Sequence, residues 1–433
     1  MLSKLIIKVD VAMANLEYIH YSPMREVFED GSIRWERDVM SRPIEKLPHI
    51  FWNNGEDWTE ANHWAKTKVN GVLGGHIDTV TILMKHLHAY ASWLEVNEVD
   101  WRHFPDRFAD RVLVRYRKVI IDQRDRGSIA PSTATARMAA LIQFYRHAKK
   151  NAFVSRNSPL WHDEMVVIRY FDTVGFERAL TRAKSELSIP NRRRPGLTLE
   201  DGLTPLAGGH PEALLAFTAS EKLDEIHLML SIGFLTGARI GSISTLAVHN
   251  IEAAMPDPAL LGFHRIPAGP GTGIKTKFDV SGDLLVPSFL LNALKTYAYS
   301  MDRLKRQAIA APEHRSRLFL TSRGNPYRPS SFNRLMTDLR RRAVEAGLTF
   351  MQNFKFHQTR CTYGTWVLAL ALQVTGEAAA LAFLREVMLH KDEVTTLRYI
   401  RFRQRGEVKA LVSNEFSAAF SGLVKRDWSQ FGA

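Results

Sequence analysis

A single cysteine, Cys361, occurs in the 433 residues of this chain. That excludes an intramolecular disulfide and any cysteine-based zinc site. No apolar run reaches the roughly 20 residues that a bilayer-spanning helix requires. The opening stretch, Met1–Asp10, is apolar too briefly for a secretory signal and carries no cleavage pattern, so a cytoplasmic protein without membrane contact is expected. Internal repeats, coiled-coil heptads and low-complexity tracts are missing. Gly271-Thr272-Gly273 matches neither a dinucleotide fingerprint nor a P-loop, so a nucleotide cofactor has no support. The histidines lack a companion carboxylate cluster at ligand spacing, so no metal site is expected. Negative charge is the scarcer sign. The 58 Lys and Arg outweigh 45 Asp and Glu, and a formal charge of +13 points to a polyanionic partner, nucleic acid first.

The 45% hydrophobic content is ample for folded cores, and the length suggests two or three compact units. Residues 1–70 read as an N-terminal arm of unknown role, with short strands at Leu5–Val11 and Ser32–Glu36. Trp52, Trp58 and Trp64 in this arm read more readily as packing than as contacts to a partner. Residues 71–152 read as all-helical. One helix is capped at Asp78-Thr79 and buries Val80, Leu83, Leu87, Tyr90 and Leu94; a second spans Phe108–Asp125. A third starts at Ser132-Thr133 and ends in the basic run Arg146, His147, Lys149, Lys150, which suits the helix dipole and also a phosphate-gripping face. Residues 153–205 read as a basic connector containing Arg192, Arg193 and Arg194 before Pro195 and Gly196. Residues 206–433 read as a mainly helical unit with a small antiparallel sheet between 261 and 287.

The chemistry-bearing residues fall in this last part. Arg239 ends Thr236-Gly237-Ala238-Arg239, at the start of a helix. His357 and Arg360, three apart, share one helical face. His390 and Tyr399 are nine apart, about 900° of unbroken helix, which would put them on opposite faces. They converge only if the helix is interrupted, and Asp392 or Thr395 is suited to cap a restart. Two arginines, two histidines and a tyrosine are what phosphodiester transesterification asks for: a nucleophile, a clamp for the non-bridging oxygens and proton transfer. Arginine suits the clamp because its planar fork donates two hydrogen bonds and stays charged.

In this order, with a hairpin lysine between the arginines, the set resembles the tyrosine recombinase (phage integrase) family over about residues 75–415. The resemblance implies a mainly α protein. An all-helical, SAM-like core-binding domain would be followed by a mixed, mostly helical catalytic domain. It implies that Arg239 and Arg360 hold the scissile phosphate and that His357 assists proton transfer. It also implies that His390 hydrogen-bonds a non-bridging oxygen, that Tyr399 attacks, and that Lys275 protonates the leaving 5′ oxygen. Lys277 competes for that role, since two residues along one strand share a face.

Arg146, Lys149, Lys150 and Arg192–Arg194 are the expected DNA contacts. The implied partners are duplex recombination sites, a synaptic tetramer of this chain and accessory proteins, with no cofactor or metal. Three departures stand out. Ser242 occupies the usual acidic position, Leu389 stands where the family has Gly, and Gln373–Leu384 reads as an insertion. The Leu389 change is minor if the backbone there is ordinary. Topoisomerase-like relaxation and a catalytically silent DNA-binding regulator remain alternative readings, the second resting on Ser242 alone.

Overall fold

The computed structural model describes residues 13–404 except 30–31, 42, 71–74, 172–176, 192–197 and the side chains of a few flanking residues in 168–182, together with 406. The strand expected at Leu5–Val11, Arg192–Arg194 and the amphipathic stretch 408–423 therefore lie outside the described residues. The chain divides into two compact units, 1–193 and 194–433.

In the first unit, β1 (Asn15–Tyr21) pairs antiparallel with β4 (Ile44–Phe51), and β2 (Met24–Glu29) pairs with β3 (Ser32–Arg37) between them. Four helices follow: α1 (Thr59–Asn70), α2 (Ile77–Val96), α3 (Val112–Asp125) and α4 (Pro131–Lys150). Phe108–Asp110 forms a separate 3-10 turn, so the second expected helix starts four residues late. The boundary expected near residue 70 is not visible in the packing. Leu47, Ile50, Trp58 and Trp64 join Tyr90, Tyr116, Phe144 and Tyr145 in one buried cluster. Within it, Tyr90 Oη lies 2.8 Å from Tyr145 Oη, and Tyr145 donates to the Trp101 carbonyl at 2.6 Å. The stretch read as a connector is partly ordered sheet. There β5 (Asp163–Phe171) pairs antiparallel with β6 (Glu177–Ser185), two strands whose sequences show no clear period-2 alternation.

The second unit holds α5 (His210–Ser220), α6 (Asp224–Thr236), α7 (Ile240–Ile243) and α8 (Val248–Glu252). A three-stranded antiparallel sheet follows, β7 (Met255–Pro256), β8 (Phe263–Ala268) and β9 (Gly282–Pro287), with β8 central. The helices α9 (Ser288–Ala298), α10 (Met301–Ile309), α11 (Pro329–Glu345), α12 (His357–Val374) and α13 (Glu377–Val387) complete it. Gln373–Leu384, read as an insertion, contributes most of α13. Gly237 ends α6 in the left-handed conformation (φ 65°), and a Cβ there would lie 2.4 Å from the Tyr363 ring, so glycine is required twice over. α6 and α12 approach so closely that a Cβ on Gly233 would meet the Thr359 hydroxyl at 2.4 Å. That close crossing brings the Arg239 and Arg360 segments together.

Candidate active site

The expected break between His390 and Tyr399 is present. α13 ends at Val387, Leu389 turns the chain with φ 48°, and helix resumes at 393, directly after Asp392. The turn swings His390 and Tyr399 onto the same side, with ring centroids 6.0 Å apart and both side chains buried. Gly364 on α12 makes room for the phenol, since a Cβ there would lie 2.5 Å from the Tyr399 ring.

Arg360 sits 3% exposed one turn into α12. Its guanidinium donates to the Gly237 carbonyl and the Met388 carbonyl, each at 2.6 Å, and through Nε to a carboxylate oxygen of Glu200 at 3.0 Å. One fork thus ties together the ends of α6 and α13. Arg239, the residue before α7, reaches the other oxygen of Glu200 at 3.1 Å, and its own buried Nε has no hydrogen-bond partner. His357 Nε2 lies 3.4 Å from Glu200 Oε2, and His390 Nε2 lies 2.8 Å from Oε1. Tyr399 donates its hydroxyl to the same Oε1 at 3.2 Å. Five of the six expected catalytic side chains therefore meet on one carboxylate.

Glu200 was not among the residues that sequence reasoning singled out. In sequence it follows a basic, glycine-containing stretch, and no local pattern separates it from a surface glutamate. Thr396, fully buried and 2.9 Å from His390 Nδ1, was missed for the same reason. If Thr396 donates to Nδ1, then Nε2 carries the proton and faces the anion, and a neutral ring is enough for that contact. Burial pushes the His390 pKa down, consistent with the neutral form. Burial also raises the Tyr399 phenol well above its ordinary value, with the Glu200 charge adding to it. For Glu200 itself burial acts upward but is overwhelmed by the two imidazoles and two guanidiniums, which hold its carboxyl far below the usual range.

Lys275 is placed differently from expectation. Residues 271–280 are a loop rather than a strand, with Lys277–Asp279 a 3-10 turn and both Phe278 and Asp279 left-handed. The shared strand face proposed for Lys275 and Lys277 does not exist, because the glycines at 269, 271 and 273 all take positive φ and break the pleat. Lys277 lies over the Phe278 ring at 5.2 Å. Lys275 is exposed, and its backbone is held at both ends: its N–H donates to Thr245 Oγ1 at 2.9 Å and its carbonyl accepts from Ser242 Oγ at 2.8 Å. Ser242 therefore braces the lysine loop, while the carboxylate partner of Arg239 is Glu200. Leu389 also departs from expectation. Its left-handed backbone is a conformation that costs a leucine about 1–2 kcal/mol, so the replacement of glycine is not neutral there.

In the first unit, Arg146, Lys149 and Lys150 line an open pocket of about 480 Å³ with Arg156 and Trp161. Arg146 is already paired with Asp163 at 2.9 Å and lies over the Trp161 ring.

No family profile and no curated protein matches the chain. Solved structures do. A fragment of the Tn1549 transposon integrase (residues 82–397, carrying one Tyr-to-Phe substitution) in complex with transposon right end DNA aligns with a TM-score of 0.49 at 14% identity, over 82% of this chain and 99% of that one. A lambda integrase (75–356) dimer bound to a COC′ core site aligns at 0.46 and 12% identity, over 80% and 96%. The lambda integrase (residues 75–356) bound to DNA aligns at 0.42 and 13%, over 76% and 90%. Like the expected fold, the second unit is mostly helical around a small antiparallel sheet.

Proposed function

We propose that the chain is a site-specific DNA recombinase of the tyrosine type, cutting and rejoining strands to integrate or excise a mobile element. The reading is carried by the convergence of Arg239, His357, Arg360, His390 and Tyr399 on a single anion, the Glu200 carboxylate, at 2.8–3.4 Å. The two carboxylate oxygens stand in for the non-bridging oxygens of a scissile phosphodiester. In the reaction the Tyr399 oxygen bonds to phosphorus, its proton passing to His357, and the bond to the 5′ oxygen breaks. Lys275 supplies the proton that the departing 5′ hydroxyl needs. Arg239 and Arg360 meet the second negative charge that the pentavalent transition state develops. The link is a 3′-phosphotyrosine, and a 5′ hydroxyl from a partner duplex resolves it. Side chains carry the charge and the phosphotyrosine conserves the bond energy, so neither a metal ion nor a nucleotide cofactor is called for.

Arg146, Lys149, Lys150 and Arg192–Arg194 would grip the DNA backbone, with salt-dependent affinity. Recombination would assemble a tetramer on two duplex sites, with accessory proteins where the element supplies them.

Covalent trapping tests the proposal. Wild type and Tyr399→Phe are incubated without divalent metal on nicked suicide duplexes tiled across the protein's native locus, then run on a denaturing gel. A slow protein–DNA band in wild type alone is expected. Absence of any adduct on a duplex that is bound sequence-specifically would sink the reading.

A further inference from the structure

Five proposed catalytic groups facing a carboxylate raise a question that the reaction does not answer, because the reaction needs them facing phosphate. We propose that Glu200 is an internal plug: it occupies the phosphate site of the DNA-free protein, and substrate must expel it before Tyr399 can attack. The inference rests on the strand-transfer reading of the same site, and it adds who fills that site in the resting state.

A bracing carboxylate behind the arginines would leave their phosphate-facing atoms and the nucleophile free. Glu200 does the opposite. Its Oε1 alone takes Arg360 Nε, His390 Nε2 and the Tyr399 hydroxyl, while Oε2 faces Arg239 and His357. The attacking oxygen is thereby hydrogen-bonded to an anion, which keeps the phenol protonated and turned away from any phosphorus. An incoming diester with one negative charge exchanges for the carboxylate at nearly even charge. The transition state with two charges gains more from the same groups, so the plug gates entry without opposing the chemistry.

The backbone around Glu200 is arranged for release. On its C-terminal side the chain is anchored to α12, where the Leu206 N–H donates to Thr362 and Gln358 donates to the Thr204 carbonyl. On the other side, Leu199 is buried against Cys361 and Tyr399 in a small cluster. Between the anchors, Asp201 and Gly202 take φ of 52° and 74°, and Asp201 carries a side chain in a region that disfavours one. Extending this turn withdraws Glu200 without moving α12.

Inorganic phosphate binding by the DNA-free protein is the test, because it needs neither a target sequence nor cleavage. Titration calorimetry compares wild type with Glu200→Gln, whose amide keeps the shape and loses the charge. The expected result is phosphate affinity about tenfold higher in Glu200→Gln, a difference of about 1.4 kcal/mol. Its melting temperature should fall in phosphate-free buffer and recover as phosphate is added. Equal or weaker phosphate binding by Glu200→Gln overturns the plug and makes Glu200 a brace for the two arginines.

Should that variant not fold, hydrogen exchange on wild type decides. The Gly202 and Leu203 amides, which donate to the Leu199 and Glu200 carbonyls, lose protection on phosphate addition if the plug leaves; unchanged or greater protection refutes it. The two readings fail separately. Stronger phosphate binding without a covalent adduct keeps the plug and loses strand transfer, and an adduct without stronger phosphate binding does the reverse.

Discussion

Two largely enclosed glutamates in the second unit look alike and behave oppositely. Glu225, in the first turn of α6, pairs with Arg306 and accepts from the Tyr327 hydroxyl at 2.8 Å. Glu200 also accepts from a tyrosine but faces two arginines and two imidazoles. Burial raises both carboxyls. A single cation leaves Glu225 above its ordinary pKa of 4.5, whereas four positive or proton-donating groups drive Glu200 far below it. Burial is therefore not what marks an anion site. A surplus of cations over the resident carboxylate is.

The largest effect expected from this contrast lies in Arg360. Arg360→Lys keeps the charge and loses the fork that reaches the Gly237 and Met388 carbonyls and the anion together. Covalent adduct formation should slow about 100- to 1000-fold, the range for losing one preorganised donor on a transition-state oxygen. Arg306→Lys, at the other glutamate, should leave the rate within about threefold, because its cation supports only structure. Similar losses in both variants, timed on the same suicide duplex, would erase the distinction drawn between the two glutamates.

Stability in phosphate-free buffer comes next. Glu200→Gln leaves the buried Arg360 and the partly buried Arg239 without their shared anion and should cost about 3–5 kcal/mol in urea unfolding. Glu225→Gln keeps the tyrosine hydrogen bond and exposes Arg306 to partial solvation, so about 1–2 kcal/mol is expected. The pH dependence separates them by sign. Glu200, depressed in the folded state, contributes stability above pH 4.5 that is lost as pH falls toward its folded value. Glu225, raised, contributes stability that is full below 4.5 and lost as pH rises through its folded value. Glu200→Gln should flatten the acid limb of stability against pH, and Glu225→Gln should steepen it. Unfolding midpoints measured on both sides of pH 4.5, the ordinary glutamate value, read both.

Much of this site was legible in the sequence because its parts are local. His357 and Arg360 share a helical face by spacing alone, and the His390–Tyr399 distance demanded a break that the turn at Leu389 supplies. Gly237 marked the end of α6. What stayed hidden is what depends on the chain returning from far away. Glu200 reaches Arg360 across 160 positions and Tyr399 across 199, and no periodicity encodes such a meeting. The β5–β6 ribbon was missed for a different reason: Asp163, Glu164 and Arg169 in one strand and Glu177, Arg178, Arg182 and Lys184 in the other leave no alternating apolar face to announce them. The Lys275 loop was misread because β-branched residues and glycine suggest a hairpin, while successive positive φ values unpleat it.

Leu389 offers a smaller test of how the Glu200 site is held. Glycine would relieve about 1–2 kcal/mol of left-handed strain. It would also remove a buried side chain that packs into the main core, worth about 2–5 kcal/mol. A net loss of up to about 4 kcal/mol is expected for Leu389→Gly, seen by urea unfolding. Stabilisation instead would mean that packing contributes less here than strain does, and that the Met388 carbonyl reaches Arg360 without help from its neighbour.

The smallest stability effect, and the most specific, belongs to Ser242. Ser242 makes no contact with the Arg239 guanidinium, which reaches Glu200 in the DNA-free protein; its hydroxyl holds the Lys275 carbonyl instead. Ser242→Ala should cost about 1 kcal/mol, one hydrogen bond, and loosen only one end of the lysine loop, since Thr245 still holds the other. Adduct formation should slow about tenfold, in line with partial loss of a general acid, and Ser242→Thr should restore it. A duplex whose bridging 5′ oxygen is replaced by sulfur distinguishes positioning from general destabilisation, because a thiolate leaves without a proton. If Ser242 acts through Lys275, the variant and wild type should cleave that duplex at equal rates. A persistent deficit of about tenfold would detach Ser242 from the lysine and point to an effect on the neighbouring Arg239 segment instead.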